Sequence, residues 1–395
     1  MKKILIYDDE DGFRGRVRGL LERLTTVTDT FEIETPGNEE LRNCIEILED
    51  RRRDFRKTGT WEDGKKSSVD EACIFVVDYD LFEATGSSNG HLVAYLARCF
   101  SKCGLIVGYR YGENAFDLTL RGDPGSFTDL YVGGEQLGNP GLWGVTEATA
   151  ADFRPWYWPI LPHYLGNFEK KMEDVEESLA EDLPIWNVLG LSSELFARLP
   201  RSIAQFLGAE PAETTFRQFV EQSGSGLERR DVGNADNACD DVLARVGAAR
   251  LSKWLERLLL PEQDIIVDAP HLVSRYPSLM TGDVTEIETW NETARPINHE
   301  ELGLSDLIEP FRLKKDHWLS RPVWFWDEVR ECEDILEVRE PWKMERPNWV
   351  FCEDASRFYE EGYSEFVADV ESPYARRFVR KFDHVEYRPK VRFSL

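Results

Sequence analysis

The chain has 395 residues, of which 42% are hydrophobic and 12% aromatic, so its composition supports folded cores and excludes a disordered protein. Its 48 Lys and Arg residues against 74 Asp and Glu residues give a net charge of −26, which argues against nucleic acid and anionic membranes as partners of the whole chain. A chain of this length predicts about two or three domains.

The cysteines and the apolar pattern predict the compartment. The seven cysteines are an odd number without paired spacings, which indicates free thiols in a reducing environment. No apolar stretch approaches the ~20 residues of a membrane span, so we expect no membrane association. A strand pattern begins directly after the first residues, where a signal peptide would lie. We therefore expect a cytoplasmic protein.

Two apolar strands are each followed by acids. Residues 4–7 lead into Asp8 and Asp9, and residues 73–77 lead into Asp78. Because the carboxyl ends of parallel strands border one crevice in an open α/β sheet, these three carboxylates are predicted to converge. Clustered carboxylates need a cation, and a small set of oxygen ligands suits Mg²⁺ better than a transition metal. The sequence therefore predicts an Mg²⁺ site.

Residues 3–24 resemble the first strand and first helix of a response-regulator receiver domain, the phospho-acceptor module of two-component signalling. Apolar residues follow the acidic pair at helical spacing, namely Phe13, Val17, Leu20, Leu21 and Leu24. Residues 78–81, Asp-Tyr-Asp-Leu, resemble the strand end that carries the family's phospho-acceptor. The resemblance covers roughly residues 1–140. It implies an α/β fold with a doubly wound parallel sheet of the flavodoxin-like type.

The resemblance also implies roles for the three acids. Asp78 would accept a phosphoryl group from a histidine kinase, while Asp8, Asp9 and Asp78 would hold Mg²⁺ as the cofactor. These residues are therefore the expected catalytic and metal-binding set.

The chain departs from the family pattern at two positions. The family ends its fourth strand with Ser or Thr, where this chain has Gly108 and Tyr109, and it ends its fifth strand with a Lys-Pro pair, but no lysine occurs between Lys102 and Lys170. That lysine normally bonds the phosphoryl oxygens, and the hydroxyl normally responds to them. Arg110 is the nearest candidate for a substitute cation.

Another interpretation of the second acidic element remains open. Asp78 and Asp80 also resemble the paired aspartates of haloacid-dehalogenase phosphatases, although that family places the pair on its first strand. An acid after a strand often serves only as a helix N-cap or a polar loop residue, which is the role expected for Asp80.

Composition divides the chain into four parts. Residues 1–145 are predicted to form the receiver-like domain and residues 146–186 an aromatic- and Pro-rich connector. Residues 187–262 read as a helical region, and residues 263–395 as an α+β domain of unknown type. The connector contains Trp156-Tyr157-Trp158, which we expect to be a buried interdomain or partner interface.

The last part offers a few local expectations. Residues 323–326 and 349–352 are predicted strands, and the second is again followed by acids, Glu353-Asp354. Residues 358–366 and 374–382 are predicted amphipathic helices.

Three functions remain open from the sequence. The first is a two-component-type signalling protein, acting as a regulator or a phosphate sink, whose partner is a histidine kinase. The second is a pseudo-receiver scaffold or interaction protein, for example in a bacterial stress or antiviral defence system. The third is a hydrolase that uses Asp78 with Asp80 or Glu353 with Asp354. Enzymatic activity is the least favoured of the three, and homo-oligomerisation is left open.

Overall fold

The computed structural model describes residues 1–61, 64–81, 89–144, 153–232, 238–280, 284–294, 307–335, 349–367 and 377–389. The chain divides into two compact units. The first consists of Met1–Asn114, Asp123–Val145 and Tyr164–Trp254, and the second of Ala115–Gly122, Thr146–His163 and Leu255–Leu395. The residues of the predicted connector are therefore shared between the two units.

The elements are numbered along the chain. The strands of the described residues are β1 (Lys2–Tyr7), β2 (Phe31–Glu34), β3 (Ala72–Asp78), β4 (Leu105–Arg110), β5 (Ala115–Asp117), β6 (Leu130–Gly133), β7 (Ile266–Asp268), β8 (Val323–Phe325), β9 (Trp349–Cys352), β10 (Arg357–Glu360), β11 (Glu365–Val367), β12 (Arg377–Val379) and β13 (Glu386–Arg388). The helices are α1 (Asp11–Glu22), α2 (Thr25–Thr28), α3 (Asn38–Thr58), α4 (Gly90–Phe100), α5 (Leu161–Glu181), α6 (Ile185–Val188), α7 (Ser193–Ala197), α8 (Arg201–Ala204), α9 (Phe216–Gln222), α10 (Arg229–Val232), α11 (Asp240–Trp254), α12 (Ala269–Arg275), α13 (Val284–Thr293) and α14 (Trp326–Glu331).

The first unit contains a five-stranded parallel sheet in the order β2-β1-β3-β4-β6. Its central strands are continuous apolar runs, and residues 4–7 and 74–77 are almost completely buried. Strands of this kind form where both faces of a parallel sheet are covered. The predicted parallel α/β sheet is thus confirmed, and its strand order is compatible with a flavodoxin-like domain.

Helices of the first unit pack through apolar faces spaced at three and four residues. Helix α1 buries Val17 and Leu21, and α3 buries Leu41, Leu48 and Phe55. Helix α4 is buried over most of its length. Helices α6 to α11 follow within residues 185–254 and belong to the same compact unit as the parallel sheet.

The basic run at residues 51–53 in α3 is engaged by acids. Arg51 donates to Asp70 over 2.7 Å, and Arg52 donates to both carboxylate oxygens of Asp231 over 2.8 and 3.0 Å. Arg51, Arg52 and Asp231 are all buried. Paired and buried arginines offer no cationic face to a nucleic acid, so this run gives no support for nucleic-acid binding.

The second unit is built from small sheets and short helices. Strands β9 to β12 form a sheet in the order β10-β9-β12-β11, while β7 pairs with β8 and β5 pairs with β13. The predicted strands at 323–326 and 349–352 correspond to β8 and β9.

The prediction of amphipathic helices over residues 358–366 and 374–382 was wrong where those residues are described. They lie in β10, β11 and β12 or in the turns beside them, and residues 374–376 lie outside the described part of the chain. The aromatic spacing that resembled a helical face belongs instead to short strands of one sheet, with Gly362 in the turn that joins the two edge strands β10 and β11.

The aromatic strip Trp156-Tyr157-Trp158 belongs to the second unit and is buried. The Trp156 indole meets the His271 ring edge-on at 5.3 Å between centroids, and the Tyr157 ring stacks on Phe116 at 5.8 Å. The expectation that the strip is buried is confirmed. These particular ring contacts all lie within the second unit.

Among the helices of the described residues, none combines the length and the apolar character that a membrane crossing requires. All seven cysteines are free thiols.

Candidate functional site

The three predicted acids lie together where β1 and β3 end. Asp8 and Asp9 follow β1, and Asp78 is the last residue of β3. One carboxylate oxygen from each lies within 4.8 Å of those of the other two. All three residues are buried, with exposed fractions of 2%, 7% and 8%. We call this cluster of Asp8, Asp9 and Asp78 the acid site.

Backbone amides orient two of the three carboxylates. The Glu10 amide donates to Oδ1 of Asp8 over 2.8 Å, and the Asp80 amide donates to Oδ2 of Asp78 over 3.2 Å. Each bond closes a short turn that starts at the end of a strand. These turns hold the carboxylates at the sheet edge instead of leaving them free to rotate.

Two side chains fix the backbone of the acidic pair. Arg14 of α1 donates to the carbonyl oxygen of Asp8 over 2.7 Å and to Oδ1 of Asn38 over 3.1 Å. Asn38, the first residue of α3, donates through its amide to the carbonyl oxygen of Asp9 over 2.9 Å. The turn after β1 is therefore held by the beginnings of two helices, and Arg14 places a buried positive charge beside it.

The last residues of β4 contribute a phenol that the sequence did not predict. Tyr109 pairs in register with Asp78, and its hydroxyl donates to Oδ2 of Asp8. Its side chain is completely buried. The only sequence signal was a tyrosine at the position where the receiver family has Ser or Thr.

A glycine permits the close approach of α4 to Asp78. A Cβ atom on Gly90 would lie 2.2 Å from the carbonyl oxygen of Asp78, so no larger residue fits without moving the backbone. The Gly90 amide donates to the carbonyl of Tyr79 over 2.9 Å, and Asn89 caps the helix through the amide of Leu92. Helix α4 is thus packed directly on the end of β3.

Burial and mutual repulsion raise the pKa values of two acids in the site. Burial, followed by the negative charge of Asp8, raises the pKa of Asp78 to about 7. Burial also raises the pKa of Asp8 above its usual value, although the bonds from Tyr109 and the Glu10 amide act in the opposite direction. A bound cation would act against both shifts, because it stabilises the charged carboxylates.

The expected substitute cation is engaged elsewhere. Arg110 donates to Asp80 over 2.8 Å, and both side chains are well exposed. Asp80 thus takes part in a surface ion pair and is not a member of the acid site. This agrees with the modest role that was predicted for Asp80.

The end of β6 has no room for a side chain at Gly133. A Cβ atom there would lie only 1.7 Å from the carbonyl oxygen of Glu113, in the segment that follows β4. Gly133 pairs in register with Arg110 at the same sheet edge. A lysine cannot occupy this position, because the backbone of residues 113–114 already fills the space.

The second acidic pair, Glu353-Asp354, lies in a buried charge network of the second unit. Glu353 accepts two bonds from Arg377 over 2.7 and 2.5 Å, and His271 lies 3.5 Å from it. Asp354 accepts from the amides of Arg380 and Lys381 over 2.8 and 2.9 Å. Both acids have exposed fractions of 2% or less, and their bonds supply the partners that buried acids require.

The donor set of the acid site is made of carboxylate oxygens alone. Oxygen ligands at a partly hydrated site suit hard cations such as Mg²⁺ and Ca²⁺, and no sulfur or imidazole ligand lies in the cluster to favour zinc. The residues present therefore fit an Mg²⁺ ion.

Comparison of the chain with protein-family models, with curated proteins and with solved structures gave no match.

Proposed function

We propose that the first unit is a receiver-like signalling module that binds Mg²⁺ through Asp8, Asp9 and Asp78 and accepts a phosphoryl group on Asp78. The observation that carries this proposal is the convergence of three buried carboxylates at one edge of a parallel sheet. In open α/β sheets this edge is where ligands bind. The natural donor would be a histidine kinase, and the module would act as a regulator or a phosphate sink.

In the proposed reaction a carboxylate oxygen of Asp78 attacks phosphorus. The bond between phosphorus and the donor's nitrogen, or its oxygen in acetyl phosphate, breaks, and the donor keeps the bonding electrons. Mg²⁺ bound at the acid site would neutralise charge on the carboxylates and on the phosphoryl oxygens. Arg14 holds the turn that carries Asp8, and the Asp80 amide orients Asp78. Since no lysine lies at the end of β6, we expect slow transfer.

Metal binding is the first test of this proposal. We expect Mg²⁺ or Mn²⁺ at millimolar concentration to raise the melting temperature of the protein, because it neutralises buried carboxylates. The variant Asp9→Asn should respond more weakly, and Asp80→Asn should respond like the wild type. A wild-type melting temperature that does not change with either metal would refute the metal site.

Phosphorylation is the second test. Incubation with acetyl phosphate and Mg²⁺ should add one hydroxylamine-labile phosphoryl group, detected by intact-protein mass spectrometry. Asp78→Asn should abolish the label by removing the nucleophile, and Asp80→Asn should keep it. Labelling that survives in Asp78→Asn and is lost in Asp80→Asn would place the acceptor on Asp80, as the phosphatase-like interpretation requires.

Two observations favour a second candidate, a pseudo-receiver that serves as a scaffold or interaction domain. A buried tyrosine stands at the end of β4, and the Glu113 carbonyl closes the space beside Gly133. These two positions therefore carry a buried phenol and a filled space where the receiver resemblance implies a responding hydroxyl and a lysine. If beryllofluoride with Mg²⁺ leaves the hydrogen exchange of residues 89–114 unchanged while Mg²⁺ still binds, the scaffold is the better description.

A further inference from the structure

Tyr109 is a side chain outside the acid site that bonds one of its carboxylates. Its hydroxyl donates to Oδ2 of Asp8. The same carboxylate accepts from the Glu10 amide through Oδ1. Asp8 is therefore held at two points, one bond on each oxygen, and each oxygen keeps a lone pair for a further ligand.

The phenol reaches its partner across an intervening strand. Tyr109 is the last residue but one of β4, Asp8 follows β1, and β3 lies between these two strands. Adjacent strands are about 4.8 Å apart, so the two side chains together bridge roughly 10 Å over the end of β3. The residue at that end is Asp78, whose Cα is in register with that of Tyr109. The Tyr109 side chain thus links the end of β4 to the turn after β1, across the strand end that carries Asp78.

A second buried tyrosine on the sheet provides a contrast. Tyr7 is completely buried like Tyr109 and directly precedes Asp8. Its hydroxyl, however, bonds Ser68 over 2.7 Å and not a carboxylate of the acid site. Tyr7 therefore separates the effect of removing a buried phenol hydroxyl from the effect of removing the bond to Asp8.

We propose that Tyr109 is a positioning residue of the acid site, whose hydroxyl holds Asp8 in the orientation that brings its oxygen to those of Asp9 and Asp78. This inference rests on the proposed function, because it requires that the acid site binds a metal. Hydrogen bonds to ligating carboxylates fix their orientation, and losing such a bond typically weakens metal binding about 10- to 100-fold. Without the phenol, Oδ2 of Asp8 loses its donor, and the Glu10 amide fixes Oδ1 alone.

The test compares Tyr109→Phe with Tyr7→Phe in the full chain. Mn²⁺ binding is measured by electron paramagnetic resonance of free Mn²⁺, and Mg²⁺ binding by competition. We expect Tyr109→Phe to bind Mn²⁺ about 10- to 100-fold more weakly than the wild type, and Tyr7→Phe to bind within about twofold of it. Circular dichroism establishes that each variant is folded.

The outcomes separate the two proposals. Wild-type protein that binds no Mn²⁺ refutes the proposed function, and with it the role of Tyr109. Binding by the wild type with equal or tighter binding by Tyr109→Phe refutes only the positioning role. A loss of Mn²⁺ affinity of equal size in Tyr7→Phe also refutes the positioning role, because removing any buried phenol hydroxyl would then have the same effect.

A measurement on the wild type covers the case in which Tyr109→Phe does not fold. Metal binding to Asp8 partly neutralises the carboxylate that the Tyr109 hydroxyl bonds. Mg²⁺ should therefore shift a tyrosine absorption band in the ultraviolet difference spectrum. The same shift should appear in Tyr7→Phe. Mn²⁺ or Mg²⁺ binding without any tyrosine shift would overturn the inference.

Discussion

Replacing Asp78 by asparagine should stabilise the protein in the absence of metal. The folded state raises the pKa of this carboxyl from 3.8 to about 7, through burial and then through the charge of Asp8. A raised carboxyl pKa means that the folded state loses its proton later than the unfolded chain, so stability falls as the pH rises between these values. A difference of about three units corresponds to roughly 4 kcal/mol of destabilisation above pH 7.

Asparagine has nearly the same shape, keeps an oxygen that can accept from the Asp80 amide, and carries no charge. We therefore expect Asp78→Asn to be more stable than the wild type at pH 8. The difference in the free energy of unfolding between Asp78→Asn and the wild type should grow by about 2 kcal/mol from pH 5.5 to pH 8. Urea unfolding, followed by tryptophan fluorescence at several pH values, measures this difference. Asp80→Asn is the matched control, since loss of its exposed ion pair should change stability by less than about 1 kcal/mol.

Metal should reduce this difference in stability. Millimolar Mg²⁺ should stabilise the wild type and leave Asp78→Asn nearly unchanged, because the variant lacks one of the three carboxylates. The reasoning is refuted if Asp78→Asn is less stable than the wild type at pH 8 without metal, or if its advantage does not depend on pH.

Three further predictions concern the rest of the chain. Asp231→Asn should destabilise the first unit by about 3–5 kcal/mol in urea unfolding, because it removes the fully buried carboxylate that accepts two bonds from Arg52 and leaves only the partly exposed Glu228 as a partner. An unchanged unfolding midpoint would contradict this. Burial acts to lower the pKa of His271, but Asp268 and Glu353 raise it above 6.5 overall. The stabilisation from protonated His271 is therefore complete below pH 6.5 and is lost as the pH rises through the raised pKa of His271 in the folded protein. The melting temperature of the wild type should therefore fall more steeply at alkaline pH than that of His271→Gln. Chymotrypsin should leave the native protein uncut at residues 156–158, and rapid cleavage there, detected by mass spectrometry, would contradict their burial.

The acid site was predictable because its chemistry lies at the ends of long apolar strands. Buried parallel strands are continuous hydrophobic runs, so β1 and β3 stand out in the sequence, and acids directly after such strands must meet at one edge. Asp8, Asp9 and Asp78 were therefore found from local pattern alone. Whether they hold Mg²⁺, and whether Asp78 is phosphorylated, remain predictions.

The contributions of Tyr109 and Gly133 depend on tertiary contacts that no local pattern encodes. A tyrosine at a strand end has the same sequence appearance whether its hydroxyl meets solvent or a carboxylate two strands away. A glycine likewise does not reveal that the carbonyl of Glu113 fills the space beside it. Each of these features becomes visible only when the strand order is known.

The second unit was harder to predict because its strands are short and pair over long distances. Strand β5 at Ala115–Asp117 pairs with β13 at Glu386–Arg388, near the other end of the sequence. In residues 358–366, aromatic residues in two strands that follow one another in the sequence, β10 and β11, imitated the spacing of a helical face. The turn signal at Gly362 was the local clue against a helix.

The interleaving of the two units along the chain has a consequence for synthesis on the ribosome. The first unit is completed only when the residues up to Trp254 have emerged, and β5 must then wait for β13 before it has a partner strand. A nascent chain that stops near residue 145 would carry the sheet without α11 and an unpaired β5. An exposed, unpaired strand edge is prone to aggregate, so fragments cut at the apparent end of the sheet should be insoluble unless residues 115–122 are replaced by a short polar turn.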